Sequence, residues 1–459
     1  MDTKTLTARR AELRETVKDG AILLVGQDEA ARNYTANPYA FRQDSHFLYY
    51  VGTNLPSLSA LILPDGTEQL FGPPEDPDDL IWSGPHPVLA DHAESAGMAQ
   101  TADNGALKPL LDELKSKGVS IHYLPPYRAE RTIKLAELLS LPYQEVVGGA
   151  SQPLARAIVE QRSIKTEAEA AEIDEALTVT KAMYEAAVAA TRPGALESTA
   201  AGALQGAALA HDRAQSFLPI VSVRGEVLHN TYCGNTMQVG DLLVIDSGAE
   251  SKNFYASDIT RTYPVTGKFD QRQKAIYQIV LDSQLAAIGL ASPEVPNRDL
   301  HFAAATTIAA GLKDLGLMKG DTEQAVKAGA HALFFPHGIG HMIGLDVHDM
   351  EDLGDVVGYP AGEPRSVQFG LSFLRLAKKL KAGFCITVEP GVYFVPALIE
   401  RWKAERVHEA FVDYAEVDKY VGLGGVRIED DVLITTAGHK VLGPGIPKTV
   451  ADIEEMMSS

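Results

Sequence analysis

The chain has 459 residues, of which 45% are apolar and 22% charged, and 61 acidic against 41 basic side chains leave a net charge of −20. That length exceeds what one hydrophobic core serves, so two or three domains are expected. The acidic excess repels polyanions, which excludes nucleic acid and anionic membrane surfaces as partners.

No run approaches the ~18 continuous apolar residues of a membrane span, and Met1 to Asp19 alternates charge with Leu where a signal peptide needs an apolar stretch. Cys233 and Cys385 are the only cysteines, too few for a disulfide framework and suited to a reducing compartment. A cytoplasmic protein is the resulting expectation.

In chain order, Leu6, Leu13 and Val17 share one face of a helix over residues 5–17, and Ala21 to Gly26 reads as a buried strand. Phe41 to Gly52 mixes polar and aromatic residues, and a strand over Ser59 to Leu63 leads into a turn at Pro64-Asp65-Gly66. Strand and helix alternate to about Gly149, giving a mixed α/β domain over residues 1–160. Near Arg162 the texture changes to a long Ala/Glu-rich helix. Thr166 with Glu169 three residues on is a capping-box pattern at its start, and Thr191-Arg192-Pro193-Gly194 ends it. A second domain, 161–459, carries helical periodicity at 197–210, 271–291 and 299–315 around strand-like runs at 241–246, 384–388 and 426–434. Helices therefore pack outside a sheet, with acidic residues at strand ends.

Those strand ends hold the chemistry. Asp246 follows Leu242-Leu243-Val244-Ile245, and Asp258 closes the segment Phe254-Tyr255-Ala256-Ser257. Two strands joined by a short connection bring these carboxylates side by side, with a bulge or longer loop to set the register. Paired carboxylates repel unless a cation or proton lies between them. His337, His341 and His348 fall within twelve residues, and Gly338, Gly340 and Gly344 argue for loop and strand over helix. Glu389 ends an apolar strand at Pro390-Gly391, and alternation over 426–434 sets Arg427 and Glu429 on one face with Val426 and Ile428 on the other. Two Asp, a His and two Glu make a hard, oxygen-rich set for divalent metal. Taken singly, each of these residues is equally well a solvated or ordinarily hydrogen-bonded side chain.

Together, in this order, the segments resemble the proline-directed metallopeptidases, aminopeptidase P and prolidase, of the pita-bread fold. Phe41-Arg42-Gln43-Asp44-Ser45 resembles that family's N-terminal domain, and Asp258-Ile259-Thr260-Arg261-Thr262 with the later blocks resembles its catalytic domain. The resemblance implies that Asp246, Asp258, His341, Glu389 and Glu429 hold two divalent ions, Mn first with Co or Zn as alternatives. Asp258 and Glu429 would bridge them, Asp246 would complete one, and His341 with Glu389 would belong to the other. A hydroxide between the ions would then cleave the bond between an N-terminal residue and proline, and Glu389 would shuttle the proton. By the same similarity His229 and His348 orient substrate and stabilise the oxyanion, His337 contacts substrate, and Arg427 supports the site. Arg375 stands where prolidases grip a dipeptide carboxylate; its bland alternative is a surface arginine on a basic helix with Lys378, Lys379 and Lys381.

Two departures stand out. One more residue separates Asp246 from Asp258 than is usual in the family, and an excursion through Ala397 to Tyr420 precedes Glu429. The excursion is prolidase-like and would wall off the cleft, which leans toward dipeptide substrates. The implied partners are proline-containing peptides, and the implied assembly a homodimer or homotetramer. Competing readings are the related methionine aminopeptidase and creatinase, and a ligand-poor binding module such as a histone chaperone; five intact ligands speak against the last.

Overall fold

The computed structural model describes residues 1–74, 77–82 and 84–458. It divides into two compact units, one of Met1–Arg162 with Met350–Gly354, the other of Ser163–Asp349 with Asp355–Ser459. The N-terminal unit thus takes in a segment remote in sequence, which no linear boundary expresses.

That unit is built on a mixed sheet of β1 (Ala21–Val25), β2 (Ser59–Ile62), β3 (Glu68–Gly72), β4 (Gln100–Asp103) and β5 (Ile121–His122), in the order β4-β3-β2-β1-β5. Neighbours β1–β2 and β2–β3 run antiparallel, while β1–β5 and β3–β4 run parallel. All five residues of β1 are buried, as a central strand covered on both faces requires. Ala21, Leu23, Val25, Leu61 and Phe71 pack there against Leu111, Leu135 and Leu139 of the covering helices. The stretch after Phe41 is a short helix, Ser45–Val51, where no periodicity had declared one. Asp44 caps it by accepting from the Phe47 N–H (3.0 Å), and Gly52 ends it at φ +75°. The polar residues of this stretch are buried and spoken for. Asp44 pairs with Arg131 (2.5 Å), and His46 meets Arg162 through Nδ1 (2.7 Å) and Asp352 through Nε2 (3.1 Å).

The second unit opens with the helix Glu167–Ala190, and the capping box forms as read: Glu169 N–H donates to Thr166 Oγ1 (3.3 Å) and Thr166 N–H to Glu169 Oε2 (2.9 Å). Ile173, Leu177, Thr180, Tyr184 and Ala187 form its buried stripe, spaced as a helix lying on a sheet demands. The Tyr184 hydroxyl lies against the carbonyls of Ile245 (3.0 Å) and Ile259, clamping two strands beside Asp246 and Asp258. Further helices run over Glu197–Ala210, Gln271–Leu290 and Asn297–Asp314. The strands are β6 (Ile220–Ser222), β7 (Leu242–Ser247), β8 (Ile259–Pro264), β9 (Cys385–Val388), β10 (Gly391–Tyr393), β11 (Gly425–Arg427), β12 (Asp430–Thr435) and β13 (Gly438–Val441). They pair antiparallel as β6-β7-β8, β9-β12-β13 and β10-β11.

Two expectations change. The single strand read over 426–434 is two, β11 and β12, parted at Ile428 and Glu429. No basic helix carries Arg375: Leu371–Phe373 is one 3₁₀ turn, and the chain beyond is irregular through Leu380. Among the described residues no helix is long and apolar enough to cross a membrane.

Candidate metal centre

The register of β7 against β8 sets Asp246 opposite Thr260, and the same pairing continues through Ser247–Ile259 to Glu250–Ala256. The hairpin closes on a three-residue turn, Lys252–Phe254, with Ser251 N–H donating to Tyr255 O (2.8 Å) and Phe254 at φ +67°. No bulge is required. The two aspartates come side by side, as the sequence implies: Asp258 is one two-residue step from Asp246's partner Thr260, diagonal to Asp246 on the same face.

The other ligand candidates arrive by a second ladder. Pairing of Asp430 with Val388 and Asp431 with Thr387 is in register with Gly391–Arg427 beyond Pro390, so one register spans the break between β9 and β10 and sets Glu429 opposite Glu389. Along the outer side of β9 runs the glycine-rich segment: Glu389 N–H donates to Ile339 O (2.8 Å), Thr387 N–H to His341 O (3.0 Å), and Ile343 N–H to Cys385 O (3.0 Å). Gly340 permits that approach, because a Cβ there would lie 2.7 Å from the Thr387 carbonyl carbon. The histidines therefore come from an extended segment, as the glycines imply. Glu429 N–H donates to Thr260 O (3.0 Å), which joins the two ladders.

All ten residues singled out from sequence line one cavity of about 710 Å³. Within it, ligand atoms of Asp258, His341 and Glu429 lie within 4.8 Å of one another. His341 Nε2 stands 3.5 Å from Asp258 Oδ2 and 3.6 Å from Glu389 Oε1. Its Nδ1 donates to Met342 O (3.0 Å), which leaves the Nε2 lone pair facing the carboxylates. Burial, then the neighbouring His348, holds this imidazole well below its ordinary pKa, so it is neutral.

Burial comes first and carboxylate neighbours second in pushing Asp258 and Glu429 well above the carboxylate range. Burial likewise pushes Glu389 up to about 7, against the opposing pull of Arg427. Asp246 Oδ1 and Asp258 Oδ1 are buried without a hydrogen-bond partner. A neutral imidazole aimed at two carboxylates, crowded anions and orphaned oxygens are together unfavourable in an empty protein and satisfied by cations. The donor set fits divalent metal.

Around this set, Arg427 Nη2 donates to Asp246 Oδ2 (2.6 Å) and its Nη1 to the Tyr393 hydroxyl (3.0 Å), which in turn meets His337 Nε2 (2.9 Å). Burial, then Arg427, pushes His337 down to about 3, so Tyr393 donates to a neutral ring. His348 packs edge-on against His341 with ring centroids 4.2 Å apart. His229 lines the cavity from an exposed loop position, and Arg375 from the irregular chain beyond Phe373. Phe217, Leu218, Leu228, Phe369 and Phe373 supply apolar wall. Residues 396–420 do not line the cavity. Trp402 of the helix Pro396–Ala404 packs edge-on against the wall residue Phe369 (5.7 Å between centroids), so the excursion stands behind the cavity wall.

Sequence reading missed Tyr393 and Thr260, whose hydroxyl donates to Glu429 Oε2 (2.6 Å), and Asp431, whose Oδ2 accepts from Asp258 N–H (3.0 Å). It also missed the buried pair Lys165–Asp349 (2.9 Å) behind the His348 loop.

A buried cluster of carboxylates and one neutral histidine in a large cavity, on antiparallel ladders flanked by helices, defines a metal-dependent hydrolase. The chain belongs to metallopeptidase family M24, which it matches over residues 171–436, and residues 6–122 match the aminopeptidase P N-terminal domain. It is 31% identical over 447 residues to a probable Xaa-Pro aminopeptidase of Verticillium alfalfae, covering 96% of this chain and 93% of that one. A probable Xaa-Pro aminopeptidase of Metarhizium acridum is 32% identical over 96% of this chain and 86% of its own. The fold matches the solved aminopeptidase PepP of Pseudomonas aeruginosa at TM-score 0.82 and 28% identity, over 100% of this chain and 98% of that one. Escherichia coli aminopeptidase P, solved in complex with substrate and, zinc-substituted, with product, matches at the same TM-score of 0.82.

Proposed function

We propose that this enzyme hydrolyses the bond between an N-terminal residue and a following proline, with two divalent ions held by Asp246, Asp258, His341, Glu389 and Glu429. The observation that carries this reading is the convergence of those five side chains on one cavity, with orphaned carboxylate oxygens and a neutral imidazole turned inward. Relatives named Xaa-Pro aminopeptidase support the substrate class. When bound, the ions supply a water activated near neutral pH and polarise the scissile carbonyl; Mn is the ion we propose, with Co and Zn compatible with the same donors.

The protein's own groups divide the remaining work. Glu389 sits at a strand end where it can take a proton from the attacking water and hand it to the imide nitrogen of proline. Arg427 fixes Asp246 and, through Tyr393, the ring of His337. His229 and His348, on the cavity wall, orient the peptide and donate to the developing oxyanion. The apolar wall excludes water and receives the proline ring and the side chain before it.

The place of Arg375 on the cavity wall favours a second, narrower reading in which a dipeptide's free carboxylate is gripped there. The test is hydrolysis of Xaa-Pro and of Xaa-Pro-Yaa peptides by Mn-loaded enzyme, wild type and Arg375→Gln. A dipeptidase loses its preference for the short substrate in the variant; equal rates on long peptides in both proteins sink the narrower reading. Asp258→Asn and Glu429→Gln should each abolish turnover with an unchanged circular dichroism spectrum, and full activity in either would refute the ligand assignment. We further propose a cytoplasmic homodimer or homotetramer, checked by light scattering.

A further inference from the structure

Behind the metal carboxylates, on the opposite face of the same strands, lies a second polar cluster that the reaction does not use. Alternation turns Arg261 away from the cavity that Asp258 faces, and Asp430 away from the one that Glu429 faces. Arg261 is 1% exposed and every one of its five N–H groups is bonded. Nη1 donates to Thr260 O (3.0 Å) and to the carbonyl of Glu429 itself (2.5 Å), Nη2 to Asp430 Oδ1 (2.7 Å) and Ile446 O (2.9 Å), and Nε to Pro447 O (3.0 Å). Asp430 Oδ2 accepts from Lys448 Nζ (2.5 Å) and from Gln284 Nε2 (3.1 Å). Gln284 also donates to Val388 O (3.2 Å), one residue before Glu389, and accepts from Lys448 (3.0 Å). Tyr277, on the same helix as Gln284, donates to Lys448 O (2.9 Å).

We propose that Arg261, Asp430, Gln284 and Lys448 are positioning residues that brace the backbones of three metal-ligand segments against the C-terminal stretch Ile446–Lys448, so that divalent-ion affinity depends on that stretch. This rests on the metal-centre reading above. Three carboxylates from separate segments, Asp258, Glu389 and Glu429, must hold a common geometry within roughly half an ångström to share ions. On the cavity side their mutual repulsion drives them apart. The brace opposes this from behind. Arg261 itself stands on the strand that follows Asp258, and from there the brace hydrogen-bonds to the carbonyl of Glu429 and to the residue before Glu389, with two cations to its one carboxylate. Among these residues only Lys448 reaches the surface appreciably, with 23% of its side chain exposed. It can be changed without opening the core.

Lys448→Met keeps the aliphatic stem and removes the ammonium. Titration of the metal-free protein with Mn²⁺ by calorimetry should show affinity reduced about 10- to 100-fold, the range for loss of groups that orient metal ligands. Lys448→Arg should restore it, since a guanidinium can span Asp430 and Gln284. Gln284→Leu, which cuts the tie to Val388 from the helix side, should weaken Mn²⁺ binding similarly. The control is melting of the metal-free proteins. Variants that melt earlier yet bind Mn²⁺ with wild-type affinity would show a merely structural cluster and overturn the proposal. Absence of Mn²⁺ binding by the wild type would overturn the metal-centre reading, and this one with it.

Discussion

Gly340→Ala tests how closely the histidine segment must lie on its neighbouring strand. The added methyl would sit 2.7 Å from the Thr387 carbonyl carbon and 2.8 Å from its Oγ1, and nearer still to the carbonyl oxygen. Ordinary contact begins at 3.4 Å, so the segment and β9 must part by roughly 0.7 Å or more at this point. The two nearest opposing atoms are backbone, so rotating the Thr387 side chain does not relieve the clash. Parting stretches the Thr387 N–H bond to His341 O (3.0 Å) and the His341 N–H bond to Thr387 Oγ1 (3.1 Å), and carries the His341 ring away from Asp258 and Glu389. A misplacement near ~1 Å is enough to cost on the order of 10²-fold in rate. The prediction is a kcat/KM about 100-fold below wild type at saturating Mn²⁺ on an Xaa-Pro substrate, with weaker Mn²⁺ binding by calorimetry. Wild-type affinity and turnover in the alanine variant would show that the close approach has no bearing on the centre.

Two further outcomes follow from buried ion pairs. Lys165→Met takes the Lys165 ammonium away from Asp349, which is 0% exposed, and should cost about 3–5 kcal/mol in urea unfolding; adding Asp349→Leu should recover most of it. Equal stability of the single and double variants would refute the pairing argument. In the N-terminal unit burial works to raise the Asp44 carboxyl, but Arg131, His46 and the Phe47 N–H overcome it and hold the group well below the usual range. A depressed folded pKa contributes stability that is complete above the unfolded value of about 4 and is lost as pH falls below it. Urea midpoints of this unit should therefore drop between about pH 4 and 2 in the wild type, and Asp44→Asn should flatten that dependence; parallel profiles would contradict the assignment.

What sequence could show was whatever is carried by local pattern. The helix after Thr166 declared itself through its capping box, and the strands before Asp246 and Glu389 through apolar runs ended by polar or turn-forming residues. Arg427 and Glu429 were legible as one face because alternation survives the break between β11 and β12. The helix after Asp44 was not, since every residue of Ser45–Val51 is buried and no polar face remains to reveal a period. Register was invisible too. Whether Asp258 stands opposite Asp246 or diagonal to it depends on how many residues the turn consumes, which is a matter of backbone geometry at Phe254. Tyr393, Thr260 and Asp431 carry no local signal at all, because their importance lies in partners 34, 169 and 173 positions away.

The hairpin between the two aspartates also bears on how relatives can differ in length. Its three-residue turn lies beyond the last paired positions, so a residue gained or lost at the tip renumbers the second aspartate without changing what it faces. The same change among the paired positions between the aspartates, Ser247–Glu250 or Ala256–Asp258, would turn one carboxylate to the far side of the sheet and dismantle the centre. The count of residues between the aspartates is thus a poor guide to whether a homologue keeps its metals; a gap placed at Lys252–Phe254 is harmless, and one placed four residues away is fatal.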